Sequence, residues 1–323
     1  MNRLKYWNRI LQAYILGGNS HLSFWHDIPE INKKMKTDEL GQYYMPFHYK
    51  ADYNGYYDKN GIPMLNYKGN IGLQYNPIAI AQYGLGNYNL WCDTYKEARF
   101  QNFITAADWL VDNLVKNRHG LLVWMHHFDF NYRDILRAPW YSGLAQGQGI
   151  SLLLRAHKET NDNRFIDAAN KAFQSFFVPV SRGGVVFKDK SGDLWIEEYI
   201  VEPPTHVLNG FIWGLWCIYD YAIYLNDEDS LDLFKSLTKT IIQYLHTYDN
   251  GFWSLYEHSG TKLKMISSPF YHRLHIVQLE VMNLLMNKSI FQQTAERWEN
   301  YKNNPINRYR AVAYKSLFKL IYY

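Results

Sequence analysis

Residues 207–256 read VLNGFIWGLWCIYDYAIYL, then NDEDSLDLFKSLTKTIIQYL, then HTYDNGFWSLY. The first string, Val207 to Leu225, is apolar nearly all round, with Asn209 and Asp220 as its polar interruptions. It is barely long enough to span a bilayer, so the sequence favours a helix buried on every side. Asn226-Asp227-Glu228-Asp229 then supplies side-chain oxygens that can accept the unpaired first-turn N–H groups of a second helix. Leu231, Phe234, Leu237, Ile241 and Leu245 recur at three and four residues, leaving Asp232, Lys235 and Lys239 for water. Gly251 opens a closing piece whose aromatic residues favour extended chain.

This unit repeats with a period of about 65 residues. First helices are expected to begin near Asn76, Ser142, Val207 and Phe270. The intervening polar turns are Cys92-Asp93-Thr94, Thr160-Asn161-Asp162-Asn163, the 226–229 run and Asn287-Lys288-Ser289. Closing glycines are Gly120, Gly183 and Gly251. An all-apolar helix followed by one with a polar face is what concentric inner and outer rings require. The expected fold is therefore mainly α, an (α/α) toroid of helical hairpins with short β-hairpins at one mouth, where a site would sit.

Residues 40 to 75 alternate turn signals with aromatics, as in Tyr53-Asn54-Gly55-Tyr56-Tyr57 and Asp58-Lys59-Asn60-Gly61. They predict a small β-element, preceded by a helix near residues 3 to 16 and packed on the toroid. The expected division is 1–72 for this N-terminal region and 73–323 for the catalytic toroid. The 323 residues are 47% hydrophobic and 20% charged, which excludes a disordered chain. A net charge of +4 without any dense Lys/Arg run gives no reason to expect nucleic acid as a partner. Aromatic residues at 17% suit sugar stacking. Cys92 and Cys217 form no metal or disulfide pattern and read as buried thiols. The N-terminus starts positively but lacks the apolar core of a signal peptide. A cytoplasmic protein without a membrane span is expected.

Three tyrosine-bearing segments fall at equivalent positions of the repeat: Trp195-Ile196-Glu197-Glu198-Tyr199, Trp253-Ser254-Leu255-Tyr256-Glu257-His258 and Tyr271-His272-Arg273-Leu274-His275. Phenols, carboxylates and histidines at one mouth suit proton transfer on a sugar. A tyrosine beside a cation such as Arg273 can exchange protons with a weak carbon acid. The alternative is that these phenols only bond buried backbone. On extended chain Glu197 and Glu198 point to opposite faces, so at most one faces a site, and a solvated pair is the competing reading. His272 and His275 lack a carboxylate at metal-site spacing, and adjacent His126 and His127 suit loop or substrate contacts better than one shared ion. No metal or cofactor is expected. The run Gly143-Leu144-Ala145-Gln146-Gly147-Gln148-Gly149 lacks the Lys-Ser/Thr of a phosphate loop and reads as close helix packing.

In order along the chain, several stretches resemble the C-terminal domain of the D-glucuronyl C5-epimerase family. They are Tyr75-Asn76-Pro77-Ile78-Ala79-Ile80-Ala81-Gln82-Tyr83-Gly84-Leu85, Trp140-Tyr141-Ser142-Gly143-Leu144-Ala145-Gln146-Gly147-Gln148, Glu197-Glu198-Tyr199 and Val207-Leu208-Asn209-Gly210-Phe211. Tyr256, Tyr271-His272, His275, Gln278, Phe291 and Arg297-Trp298 continue the series to about residue 302. The resemblance implies inversion at C5 of D-glucuronosyl residues to L-iduronosyl within a heparosan-like polysaccharide, without a cofactor. It implies catalytic roles for Glu198, Tyr199, Tyr256 and Tyr271. Asn209, Arg273 and His275 are the implied holders of the substrate carboxylate or its neighbouring hydroxyls, with Tyr141, Gln146 and His127 as further substrate contacts. An anionic polysaccharide is the implied partner and a homodimer the implied assembly.

One departure stands out. The family has an arginine shortly after the tyrosine matched by Tyr256, whereas this chain reads Glu257-His258-Ser259-Gly260. Two other functions share the same features: a uronate lyase or hydrolase, and a polysaccharide-binding protein without turnover.

Overall fold

A computed structural model of the chain describes residues 28–67, 71–132 and 135–322. Its fold class is mainly α as expected, with helical hairpins and short β-hairpins between them. The chain divides into two compact units. The larger comprises Asn32–Pro204 and Gly210–Thr240; the smaller comprises the described residues of 1–31 with Thr205–Asn209 and Ile241–Tyr323.

In the larger unit, α1 (His48–Ala51) precedes an antiparallel sheet of β1 (Tyr56–Tyr57), β2 (Pro63–Tyr67) and β3 (Gly72–Gln74). This is the expected N-terminal β-element. The β1–β2 turn forms because the Asp58 carboxylate accepts from the Asn60 and Ile62 amides at 2.9 and 2.8 Å, with Gly61 at a φ of 81°. The helix expected at 3 to 16 lies outside the described residues.

Two helical hairpins follow, α2 (Pro77–Thr94) with α3 (Glu97–Asp112), then α4 (Gly143–Thr160) with α5 (Asn163–Phe173). Asn76 and Ser142 cap the first helix of each hairpin through their side-chain oxygens, as their chemistry predicts. These first helices are buried without a break from Pro77 to Asn89 and from Gly143 to Ala156. Their partners bury only one stripe, Phe103, Ala106, Ala107 and Leu110 on α3 and Phe165, Ala168, Ala169 and Ala172 on α5. In the smaller unit, α8 (Pro269–Met286) and α9 (Ser289–Asn303) form a third hairpin, and α10 (Pro305–Tyr322) ends the chain. Between these elements run α6 (Leu208–Leu225) and α7 (Glu228–Tyr244). Phe234, Leu237 and Ile241 of α7 and Leu245 just beyond it are buried, Leu231 is only partly so, and Asp232, Lys235 and Lys239 are exposed.

The second-helix caps divide. Asp162 caps α5 and Asp227 bonds the Ser230 amide at 2.9 Å, as expected. At Cys92-Asp93-Thr94 the first helix instead runs on to Thr94, Tyr95 turns left-handed, and Lys96 takes the cap position without a side-chain bond. Lys288 likewise stands at the start of α9. The closing glycines are left-handed, with φ of 85°, 92° and 77° at Gly120, Gly183 and Gly251. Gly120 serves the turn between β4 (Leu114–Lys116) and β5 (Leu122–Trp124). Further pairs are β6 (Phe130–Asn131) with β7 (Ile135–Leu136) and β8 (Val186–Lys188) with β9 (Leu194–Ile196).

The larger unit hides one ion pair. Arg155 of α4 and Asp220 of α6 meet at 2.7 Å with both side chains 1% exposed. Arg155 also donates to the Gly41 and Ser151 carbonyls, each at 2.9 Å, and the Tyr44 hydroxyl donates to Asp220 at 2.8 Å. The pair therefore ties the 41–44 segment to two buried helices. Charges this deep persist only when every donor finds an acceptor. Cys217 is buried and Cys92 only partly so, and desolvation pushes both thiols up. No helix among the described residues is long and apolar enough to cross a membrane.

Candidate active site

In the larger unit the Glu197-Glu198-Tyr199 segment leaves β9 under tight backbone control. The Glu197 amide donates to the Val185 carbonyl at 2.9 Å, and its own carbonyl accepts from Gly143, the first residue of α4, at 3.0 Å. A side chain at Gly143 would lie 2.5 Å from that carbonyl oxygen. The glycine-rich run is thus a packing device, with Gly149 against the Trp124 ring and Gly147 against the backbone of Trp213. Both Glu197 and Glu198 are buried, at 1% and 3% exposure, so the solvated pair is not what forms. Gly210 makes room for Glu198: a Cβ there would meet the Glu198 Cβ and Oε2 at 2.5 Å.

Tyr199 sits in an aromatic cluster. Its ring lies 4.2 Å from Tyr132, 6.0 Å from Phe130 and 6.1 Å from Trp140 between centroids. Trp140 in turn stacks on His126 at 3.8 Å, nearly parallel. The His126 Nδ1 faces the Trp140 carbonyl at 3.3 Å, so that nitrogen carries the proton and Nε2 keeps its lone pair. Burial pushes this imidazole down to about 3. His127, the residue expected to contact substrate, is exposed. Tyr141 is half-buried, and burial raises its phenol against the opposing pull of Arg118 and Asn117. Gln146 is wholly buried: its carbonyl accepts from the Trp124 amide at 3.0 Å, and its NH2 reaches Ala172 O and Ser175 Oγ at 3.2 Å. That amide is spent on holding β5 and α5 to α4.

In the smaller unit, Tyr256 is fixed by its amide to Met265 O at 2.8 Å and by its carbonyl, which accepts from Leu208 at 3.1 Å. Tyr271 occupies the first turn of α8, where Ser268 caps its amide. The two rings meet edge to face, 5.0 Å apart. Asn209 is buried at the start of α6, and its carbonyl accepts from Gln278 Nε2 at 3.0 Å. Arg273 is half-buried and donates its Nε to Pro29 O at 3.0 Å.

His272 and His275 converge on one hydroxyl. Ser254 Oγ lies 2.8 Å from Nδ1 of His272 and 3.0 Å from Nδ1 of His275. The Ser254 amide donates to His272 Nδ1 at 3.1 Å, and His272 Nε2 faces the Trp298 carbonyl at 3.0 Å, which places the His272 proton on Nε2. Burial pushes His272 down to about 4 and His275 well below its ordinary value. Among the described residues no group of three or more His, Cys, Asp or Glu side chains could hold a metal ion.

Beside Tyr256 lies a carboxyl that the sequence marked only as a departure. Glu257 is 2% exposed, and its Oε2 has no hydrogen-bond partner among the described residues. Burial lifts it to about 7, with Ser259 and Lys315 offsetting part of the rise. Tyr132 was not singled out from the sequence; the signal for it was the alternation Phe128, Phe130, Tyr132, which turns three aromatics to one side of extended chain.

Residues 117–300 match the sequence model of the D-glucuronyl C5-epimerase C-terminus, more than half of the chain, and the protein belongs to that family. A D-glucuronyl C5-epimerase of Caenorhabditis elegans is 32% identical over 221 residues, covering 64% of this chain and 36% of the nematode protein. An uncharacterised protein of Methanocaldococcus jannaschii is also 32% identical, over 199 residues, covering 60% of this chain and 63% of the archaeal one. The chain thus spans about a third and under two thirds of these relatives. Among solved structures, a family 105 glycoside hydrolase of C. acetobutylicum aligns with a TM-score of 0.49 at 14% identity, covering 70% of this chain and 64% of that one. A cellobiose 2-epimerase of Spirochaeta thermophila aligns at 0.47 and 11%, covering 69% and 57%. At this level of similarity neither bears on the chemistry.

Proposed function

We propose that the protein is an isomerase that inverts C5 of D-glucuronosyl residues to L-iduronosyl within a heparosan-like or other glucuronate-containing polysaccharide. The observation that carries this reading is the family match across the segments holding Glu198, Tyr199, Tyr256 and Tyr271. The nematode relative's description as a D-glucuronyl C5-epimerase supports the same substrate class.

The C5 proton lies alpha to a carboxylate, so its removal adds negative charge to a group already charged. Donors must therefore meet the enolate oxygens as they form. Inversion further needs one group to take a proton from one face of the ring and another to return one to the other face. In this reading Glu198 or Tyr199 serves one face and Tyr256 or Tyr271 the other. The packed aromatic surroundings of Tyr199 and the edge-on contact of Tyr256 with Tyr271 support these roles, because fixed phenols cost no reorganisation when the proton moves. Arg273 and Asn209 are the proposed partners of the substrate carboxylate and hydroxyls. Residues 73–323 carry the catalysis, 1–72 form an accessory region, and the working assembly is a homodimer.

The test is incubation of purified protein with heparosan, followed by NMR of the product and absorbance of the solution. New L-iduronosyl signals without a C4–C5 double bond support the reading. Double-bond absorbance means a lyase, and binding without any product means a non-catalytic polysaccharide-binding protein.

A further inference from the structure

Tyr132 stands in a chain of rings, Tyr132 on Tyr199, Tyr199 beside Trp140, and Trp140 on His126. Both ends of that chain carry an unused polar atom. Among the described residues the Tyr132 hydroxyl, buried in a residue 7% exposed, has no hydrogen-bond partner. His126 Nε2, in a residue 0% exposed, is likewise buried and unbonded among the described residues. With the His126 proton on Nδ1, the two ends are a donor at Tyr132 and an acceptor at His126. A buried hydroxyl without a partner destabilises the fold, and phenylalanine would fill the same space without that cost. Such a group calls for an explanation outside the protein's own bonds.

We propose that Tyr132 is a substrate-binding residue whose hydroxyl donates a hydrogen bond to an oxygen of the uronosyl unit handled by Tyr199. The inference rests on the epimerase reading above and deepens it. A phenol is a donor suited to a carboxylate or enolate oxygen, and a bond to a charged oxygen is the stronger kind. The 4.2 Å between the Tyr132 and Tyr199 rings sets this hydroxyl beside the residue that handles the uronosyl unit in that reading.

The experiment uses the full chain and its Tyr132→Phe variant, with three readouts: thermal midpoint, steady-state conversion of heparosan, and calorimetric binding of a heparosan oligosaccharide. The expected variant melts at the wild-type temperature or above, because no internal bond is lost, while kcat/KM falls about tenfold or more. Unchanged kcat/KM overturns the proposal. So does a midpoint lowered by several degrees, since the hydroxyl would then be bonded inside the protein. If the wild type converts nothing, the epimerase reading fails by itself and binding decides: weaker binding by Tyr132→Phe upholds the uronate contact. Equal binding by the two proteins, or binding by neither, overturns it.

Discussion

Tyr256 and Tyr271 stand edge to face, their ring centroids 5.0 Å apart and their planes at 67°, although one follows an isolated β-bridge at Leu255 and the other opens a helix. Each ring is thereby fixed by the other and by its own backbone, so the direction of each hydroxyl belongs to the scaffold. An edge-on aromatic contact also contributes about 0.5–1.5 kcal/mol beyond the area it buries.

Replacing either tyrosine by phenylalanine preserves this ring contact and removes only the hydroxyl. Tyr256→Phe and Tyr271→Phe are each expected to lower kcat by about 10²- to 10⁴-fold, the range for loss of a proton-transfer group. Thermal midpoints should stay within a few degrees of wild type. Two variants that both keep full turnover would show that these phenols serve only packing.

Gly210 offers a way to move Glu198 without altering it. A Cβ at 210 would lie 2.5 Å from both the Cβ and the Oε2 of Glu198, so the whole side chain must be displaced. Overpacking of this kind costs about 1–3 kcal/mol. Gly210→Ala should fold with reduced stability and lose at least about 10²-fold in kcat if Glu198 moves a proton. Wild-type kcat in the folded variant would remove Glu198 from the reaction.

The ion pair of Arg155 and Asp220 makes a prediction about stability alone. Asp220→Asn leaves a buried guanidinium uncompensated and should cost about 3–5 kcal/mol in urea denaturation. Arg155→Met with Asp220→Leu should recover most of that loss. The same denaturation curves would refute the account if Asp220→Asn cost under about 1 kcal/mol.

Glu257 and the buried histidines pull stability in opposite directions with pH. Unfolded, Glu257 titrates near 4.5, and folded near 7, so the folded state holds a proton that the unfolded state has released between those values. Its contribution is full below about 4.5 and declines as pH rises to about 7. His126, His258 and His272 titrate near 6.5 unfolded and near 3, 4 and 4 folded, so they favour folding above 6.5 and lose that contribution as pH falls. Glu257→Gln, a copy of the protonated carboxyl, should match wild type at pH 4.5 and exceed its denaturation midpoint at pH 8. Equal midpoints at pH 8 would show that the carboxyl is not held protonated.

The helices were legible wherever a local signal set them. Asn76, Ser142, Asp162 and Asp227 announce helix starts because capping is a bond between a side chain and amides two or three residues away. Where Lys96 and Lys288 hold the cap position, no side-chain oxygen bonds the first amides, although Thr94, Asn287 and Ser289 stand close by in sequence, so the boundary falls a residue or two from the one the polar turn suggests. The site was legible by segment and less so by side chain. Burial of both Glu197 and Glu198 depends on β8, α4 and Gly210, all distant in sequence. The difference between exposed His127 and buried His126 was not legible for the same reason, since the stacking of His126 on Trp140 comes from a pairing across fourteen residues. Gln146 looked like a polar group available to substrate because its four protein partners cannot be read from its neighbours.

Incubation of the protein with heparosan in deuterated water, with NMR of the uronate C5 position, tests the central claim most directly. Two-face proton transfer predicts deuterium at C5 together with L-iduronosyl signals, both abolished in Tyr256→Phe. Iduronosyl product that keeps its C5 hydrogen, or no exchange on any D-glucuronosyl polymer, would contradict it.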